Sequence, residues 1–242
     1  MQQIEKVLRE KLAAAHHIIY FMGWDDILAT HISVKIPNTE HILITPLNIP
    51  FEEISASKIV KSDLNGNPIG NSDYGIMPQA TNIHTSVYKA NSSVMGVVHT
   101  HSTYGTAVAS LEAGFLFINQ HALCFYNDIG YHDYDGLALE DEGEQIVASL
   151  GNKTILVLRN HGLLTTGRTI EEALVRMYYM ETYCEMQVKT MSANSKIITI
   201  SDDVCKKTKT QYESILTLDF LAETFNALVR RIENKSRVNF RD

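Results

Sequence analysis

Two histidines one residue apart, His99 and His101, close the apolar run "SSVMGVVHTHS". Side chains two positions apart on a strand share a face, so the pair presents two imidazole nitrogens side by side. That arrangement suits Zn²⁺ or another divalent ion, whose bonds to imidazole nitrogen run about 2.0–2.1 Å. His161 follows the apolar stretch "TILVLRN" and precedes Gly162, and a glycine there allows a sharp turn beside a site. Three imidazoles with one coordination position open would make a Lewis-acid centre for a carbonyl or enolate oxygen. A histidine pair alone is weak evidence, because most such pairs are structural; the third histidine strengthens it.

Further polar groups compete for roles. His31, next to Ser33 by alternation, reads equally as a catalytic group and as a hydrogen-bonded structural histidine. His84, in a helical stretch, is expected to support a ligand or cap a backbone group rather than bind metal. Asp25 and Asp26 could share a proton or bind metal, with a turn role after Trp24 as the simpler reading. His16 and His17 lie on the first helix, with one imidazole expected in solvent, and His41 reads as surface. Tyr131 to Tyr134, "YHDY", reads as a structural connection. No glutamate of the helix carrying Glu171, Glu172, Glu181 and Glu185 is selected as a fourth ligand, so water is the expected one.

The elements that must position these groups follow from periodicity. Ile4, Val7, Leu8, Leu12, Ala15, Ile18 and Ile19 predict a helix over 2–22, ended by Gly23. "HISVKIP" and "HILITP" predict a hairpin through Pro37-Asn38, and Asn65-Gly66 a tight turn. "QATNIHTSVYKAN" reads as a helix, "SSVMGVVHTH" as a strand, "STYGTAVASLEAG" as a helix stopped by Gly114, and "FLFIN" as a further strand. A helix ended by Gly151, the strand "KTILVLRNHG" and a long helix capped by Thr169 follow. Helical pattern resumes from Ser201 to Lys235, where Leu216, Phe220, Phe225, Leu228 and Val229 could pack, and the last residues are expected to fray. Interleaved strands and helices predict an α/β sandwich around one core.

Composition bounds the rest. The 242 residues, 45% hydrophobic and 20% charged, suit one large domain with a real core. A net charge of −7 argues against a nucleic-acid surface. The three cysteines, Cys124, Cys184 and Cys205, are unpatterned, which fits a reducing cytoplasm. No apolar run approaches the roughly 18 residues that span a bilayer, so no membrane partner is expected.

In order, "GWDDILATHISVKIP", "HILITPLNIPFEEISASKIVKSDLNGNPI", "HTSVYKANSSVMGVVHTHSTYGTAVAS", "GYHDYDG" and "ILVLRNHGLLTTGRTIEEALVRMYYMETYCEMQV" resemble the class II aldolase/adducin family, over about residues 5–195. The resemblance implies a single-domain three-layer α/β/α sandwich with a central, mainly antiparallel sheet. The expected organisation is one domain over 1–200 with a helical extension of the same domain at 201–242. It implies zinc or a similar ion on His99, His101 and His161, an enolate formed from a small carbonyl substrate, and a homo-oligomer (dimer or tetramer) with sites at subunit interfaces.

The departures from the family pattern matter as much. The aldolases' glutamate, a metal ligand and acid/base, is Ala80 here, in "Pro78-Gln79-Ala80". Alanine neither ligates nor moves a proton. The Gly-Asn and Thr-Gly that the aldolases use on phosphate are Thr30-His31 and Leu47-Asn48, and the acid/base tyrosine falls at Gln120-His121. Thr30, Asn48 and Gln79 are therefore read as substrate contacts, and His31 and Gln120 as catalytic candidates. The expected activity is a metal-dependent lyase of aldolase, decarboxylase or dehydratase type, not a standard sugar-phosphate aldolase. The alternative is a catalytically silent binding or oligomerisation module like the adducin head. The retained ligand set favours the enzyme.

Overall fold

The computed structural model describes residues 2–137, 142–235 and 239–242. In chain order the elements are α1 (Gln2–Met22), β1 (His31–Lys35), β2 (His41–Ile44), β3 (Val60–Asp63), α2 (Pro78–Ala90), β4 (Gly96–Thr100), α3 (Thr103–Ala109), β5 (Ile129–His132), α4 (Glu142–Leu150), β6 (Ile155–Leu158), β7 (Gly162–Gly167), α5 (Ile170–Ser192), α6 (Asp202–Ile215) and α7 (Leu218–Lys235). The seven strands form one sheet in the order β3-β2-β1-β4-β7-β6-β5. Every neighbouring pair is antiparallel except β5 and β6.

Two apolar clusters cover the two faces of the sheet. On one face α1, α3, α5 and α7 pack through Leu12, Ile18, Val108, Leu174, Met177 and Phe225 against Ile32, Val98 and Leu163. On the other, α2 and α4 pack through Ile83, Val87 and Ile146 against Ile44, Val97, Leu156 and Leu164. Strand residues alternate between the clusters, Val97 to one and Val98 to the other, as period-two geometry requires. The result is a single α/β/α domain of the expected kind. α5 starts where Thr169 accepts the amide of Glu172, the cap the sequence predicts.

Several expectations need correction. "FLFIN" is not a strand: Gln187 on α5 accepts the Leu116 amide and donates to the Gly114 carbonyl, so a side chain takes the place of a strand partner. α3 ends at Ala109, five residues before Gly114. Gly162 does not end the chain's strand; it opens β7, and the turn before it is made by Asn160 in the left-handed region (φ 56°). A Cβ at Gly162 would lie 2.3 Å from the Thr100 carbonyl oxygen, so the glycine permits close approach of β4 and β7. Tyr131 and His132 belong to β5, not to a connection. His16 and His17 are both buried, on the Leu12 carbonyl and Thr45 hydroxyl and on the Ile54 carbonyl respectively. The chain end does not fray: Phe240 is buried, and Asp242 accepts from the Ser55 and Ser57 hydroxyls and the Ser57 amide.

Candidate metal centre

β1, β4 and β7 are neighbours at the centre of the sheet, and their antiparallel register brings four histidines to one end of it. His31, opening β1, lies opposite His99 near the end of β4. His99 lies opposite Leu164 on β7, and His161 sits in the turn that leads into that strand. His101 follows β4 by one residue.

The Nε2 atoms of His99 and His101 are 2.9 Å apart, as are those of His101 and His161. His99 donates from Nδ1 to the Leu163 carbonyl at 2.9 Å, and His101 Nδ1 faces Asp26 Oδ2 at 3.0 Å. These outward bonds fix the tautomers and leave both Nε2 lone pairs turned inward. Two lone pairs cannot bond each other, so the cluster calls for a shared cation. An ion tetrahedrally bound at about 2.0–2.1 Å holds its nitrogens roughly 3.3 Å apart; the two close pairs stand a few tenths of an ångström inside that spacing, and all three ligand nitrogens lie within 4.8 Å of one another. Burial, then the neighbouring imidazoles, holds His99 well below the usual histidine range and brings His161 down to about 4. Both are therefore neutral at physiological pH, the form in which imidazole ligates metal. The donor set fits a divalent ion.

Asp26 reaches His101 from a strained turn. Asp26 (φ 44°) and Ile27 (φ 55°) both adopt left-handed backbone, which is costly for a β-branched residue. The amides of Leu28 and Ala29 bond back to the Asp26 carbonyl, and the buried Thr30 hydroxyl donates to the Trp24 carbonyl. Thr30 thus fastens the turn.

Beside the triad runs a second chain of buried polar groups. His31 Nδ1 is 2.8 Å from His84 Nε2, His84 Nδ1 is 2.6 Å from Ser33 Oγ, and Ser33 Oγ is 2.8 Å from the Tyr88 hydroxyl. If the Ser33 hydroxyl donates to His84, then His84 donates to His31, and His31 keeps its proton on Nε2. Reversing the chain makes His31 Nε2 an acceptor. Burial brings His84 down to about 3, and burial with the His84 imidazole holds His31 well below its usual range.

A cavity of about 560 Å³ opens over these groups, lined among others by His31, Leu47, Gln79, His99, His101 and His161. The structure therefore brings His31 and Gln79 to the triad. It does not bring the others: Thr30 is buried under the turn, Asn48 is exposed in a left-handed turn beside Leu47, and Gln120 is exposed and not among the lining residues. Ala80 is buried in the second core cluster. Sequence reasoning left out Asp26 as the partner of His101, and Tyr134 of the cavity wall. An aspartate ahead of a strand is too common a signal to select it.

A sheet sandwiched between helices, with three imidazoles converging at one end of its central strands, is an α/β architecture with a candidate metal site. The chain belongs to the family described as the class II aldolase and adducin N-terminal domain, whose sequence model matches residues 10–188. A Caulobacter vibrioides protein of class 2 aldolase type is 42% identical over 194 residues, covering 79% of this chain and 76% of that protein. Mouse alpha-adducin is 34% identical over 194 residues, covering 78% of this chain but only 26% of the adducin. The crystal structure of an aldolase II superfamily protein from Pseudomonas syringae superposes with a TM-score of 0.93 at 35% identity, covering 99% of this chain and 96% of that one. L-fuculose 1-phosphate aldolase from Glaciozyma antarctica superposes with a TM-score of 0.84 at 26% identity, covering 97% and 93%.

Proposed function

We propose that the protein is a metal-dependent lyase acting on a small carbonyl substrate, with a divalent ion, zinc as the expected one, on His99, His101 and His161. The observation that carries this reading is the convergence of Nε2 atoms at 2.9 Å while the Nδ1 atoms of His99 and His101 are held outward. A bound ion would supply Lewis-acid polarisation of a carbonyl oxygen. The chain's own residues supply the rest. His31 replaces the absent glutamate as the group that moves a proton, through Nε2, while His84, Ser33 and Tyr88 set its tautomer. Gln79 on the cavity wall hydrogen-bonds the substrate, and Asn48 and Gln120, both exposed, contact it only across an interface between copies of the chain, assembled as a dimer or tetramer.

The test is metal analysis of protein purified without chelator, beside the double variant His99→Ala/His101→Ala. One ion per chain is expected in the native protein and none in the variant; a native protein that carries no ion and rebinds none sinks the reading. The loaded protein is then screened for retro-aldol cleavage and decarboxylation of small 2-oxo and hydroxy acids. His31→Gln is expected to lower kcat about 10²–10⁴-fold with metal content unchanged.

One observation favours a second reading, a silent binding module of adducin-head type: the usual glutamate position is a buried alanine, in a chain 34% identical to alpha-adducin. A fully loaded protein that turns over none of these compounds would favour it.

A further inference from the structure

Apart from Gln79, Tyr134 and Asn160, the wall of the cavity away from the triad is apolar. Ala29, Leu47, Met77, Pro78, Ile83 and Leu137 line it, and no lysine or arginine is among the lining residues described. Tyr134 stands at the mouth with its ring centroid 6.4 Å from that of His161, and it is 53% exposed. Leu137, also at the mouth, is 68% exposed. The charges nearby are acidic: Asp26 beside His101, and Asp133 and Asp135 on either side of Tyr134. Arg159, which precedes Asn160 of the lining, is turned away, donating to the Leu111 carbonyl and pairing with Asp133. Pro78 at the start of α2 offers no amide hydrogen, so this helix start presents one donor fewer to an anion. The amide of Leu47 is already given to the Gly75 carbonyl.

A phosphate or sulfate in this cavity would meet mainly hydrocarbon and no cationic side chain among the lining residues described. An apolar group would cover Leu47, Met77 and Ile83 and shield the exposed Leu137 and Tyr134. We infer that the substrate of this site is a carbonyl compound carrying an uncharged, apolar substituent of branched-alkyl or aryl type, and not a phosphorylated one. This rests on the reading of the triad as a metal centre that holds the substrate's oxygen. It does not require turnover.

Hydroxamates, which chelate divalent ions and resemble an enolate, separate the possibilities. Acetohydroxamate, 3-phenylpropanohydroxamate and phosphoglycolohydroxamate would be titrated calorimetrically into the zinc-loaded full chain. The phenylpropano compound is expected to bind at least about 30-fold more tightly than acetohydroxamate, since each buried methylene is worth about fourfold. Phosphoglycolohydroxamate is expected to bind no more tightly than acetohydroxamate. Leu47→Arg is expected to reverse the order, and a crystal of the phenylpropano complex to place the ring against Leu47, Met77 and Ile83. Tighter binding of the phosphorylated compound to the native protein, or equal binding of all three, overturns the inference. Apolar preference without turnover of any substrate leaves it standing while the lyase reading fails.

Discussion

Asp26 and His101 show how much of the centre depends on groups outside the ligand set. A carboxylate on the far nitrogen of a ligand fixes ring orientation and raises basicity, and its loss costs about 10–100-fold in metal affinity. Asp26→Asn is therefore expected to weaken zinc binding by that factor in competition with a chromophoric chelator. Global stability should change by less than about 0.5 kcal/mol, because the Asp26 side chain is half-exposed and braces no core contact. Unchanged affinity would mean that His101 is oriented by something else. His84 plays the corresponding part for His31, and its removal leaves His31 Nδ1 without its partner and the buried Ser33 hydroxyl with Tyr88 alone. Each such group costs about 1–3 kcal/mol, so His84→Ala is expected to lower the urea-unfolding free energy by at least that much.

The elements carry the site through a few junctions. α3 begins two residues after His101, and its start is held by the buried Glu181 of α5, which accepts from Ser102 Oγ at 2.7 Å, the Tyr104 amide at 3.0 Å and the Gly105 amide at 2.6 Å. Burial pushes this carboxyl above the usual range, while the three donors pull it back. Glu181→Gln turns one acceptor oxygen into a donor facing donors, so a loss of about 2–3 kcal/mol is expected, with weaker metal binding because His101 shifts with α3. A glutamine variant as stable as the native protein would show that α3 does not depend on this contact. Gly162 is the matching junction between strands. A Cβ there presses on the Thr100 carbonyl, and Gly162→Ala is expected to cost about 1–3 kcal/mol in denaturant titration.

Across the whole molecule, buried neutral histidines tie stability to pH. His16 is completely buried between Leu12 and Thr45, and burial brings it down to about 3. In the unfolded chain it titrates near 6.5. Below that pH the unfolded chain takes up a proton that the native fold refuses, so stability is fully present above about 6.5 and is lost as pH falls towards 3. For one such histidine the loss between pH 7 and pH 5 is about 2 kcal/mol, and His84 adds a similar contribution. Urea unfolding in the presence of chelator, so that metal release does not contribute, should show this fall. His16→Gln should reduce the slope by about one proton. A slope unchanged by the substitution would mean that His16 is not neutral in the fold.

By itself the sequence determined the period of each long element, the cap at Thr169, the pairing of His99 with His101 at the end of one strand, and the third histidine beyond an apolar strand. These are local facts: period-two and period-3.6 geometry acts over a few residues, and so does capping. It missed β7 as a separate strand because "GLLTTG" follows its partner after only a three-residue turn, so the two read as one apolar run. It made "FLFIN" a strand because nothing local shows that Gln187, more than 60 residues on, takes that backbone's hydrogen bonds. Tertiary structure alone decided that β1, β4 and β7 are neighbours, that His31 faces His99, that Asp26 meets His101, and that the open side of the triad is walled by hydrocarbon. Each depends on sheet register between distant segments, which is set by the burial of two whole faces at once and not by any short stretch of chain.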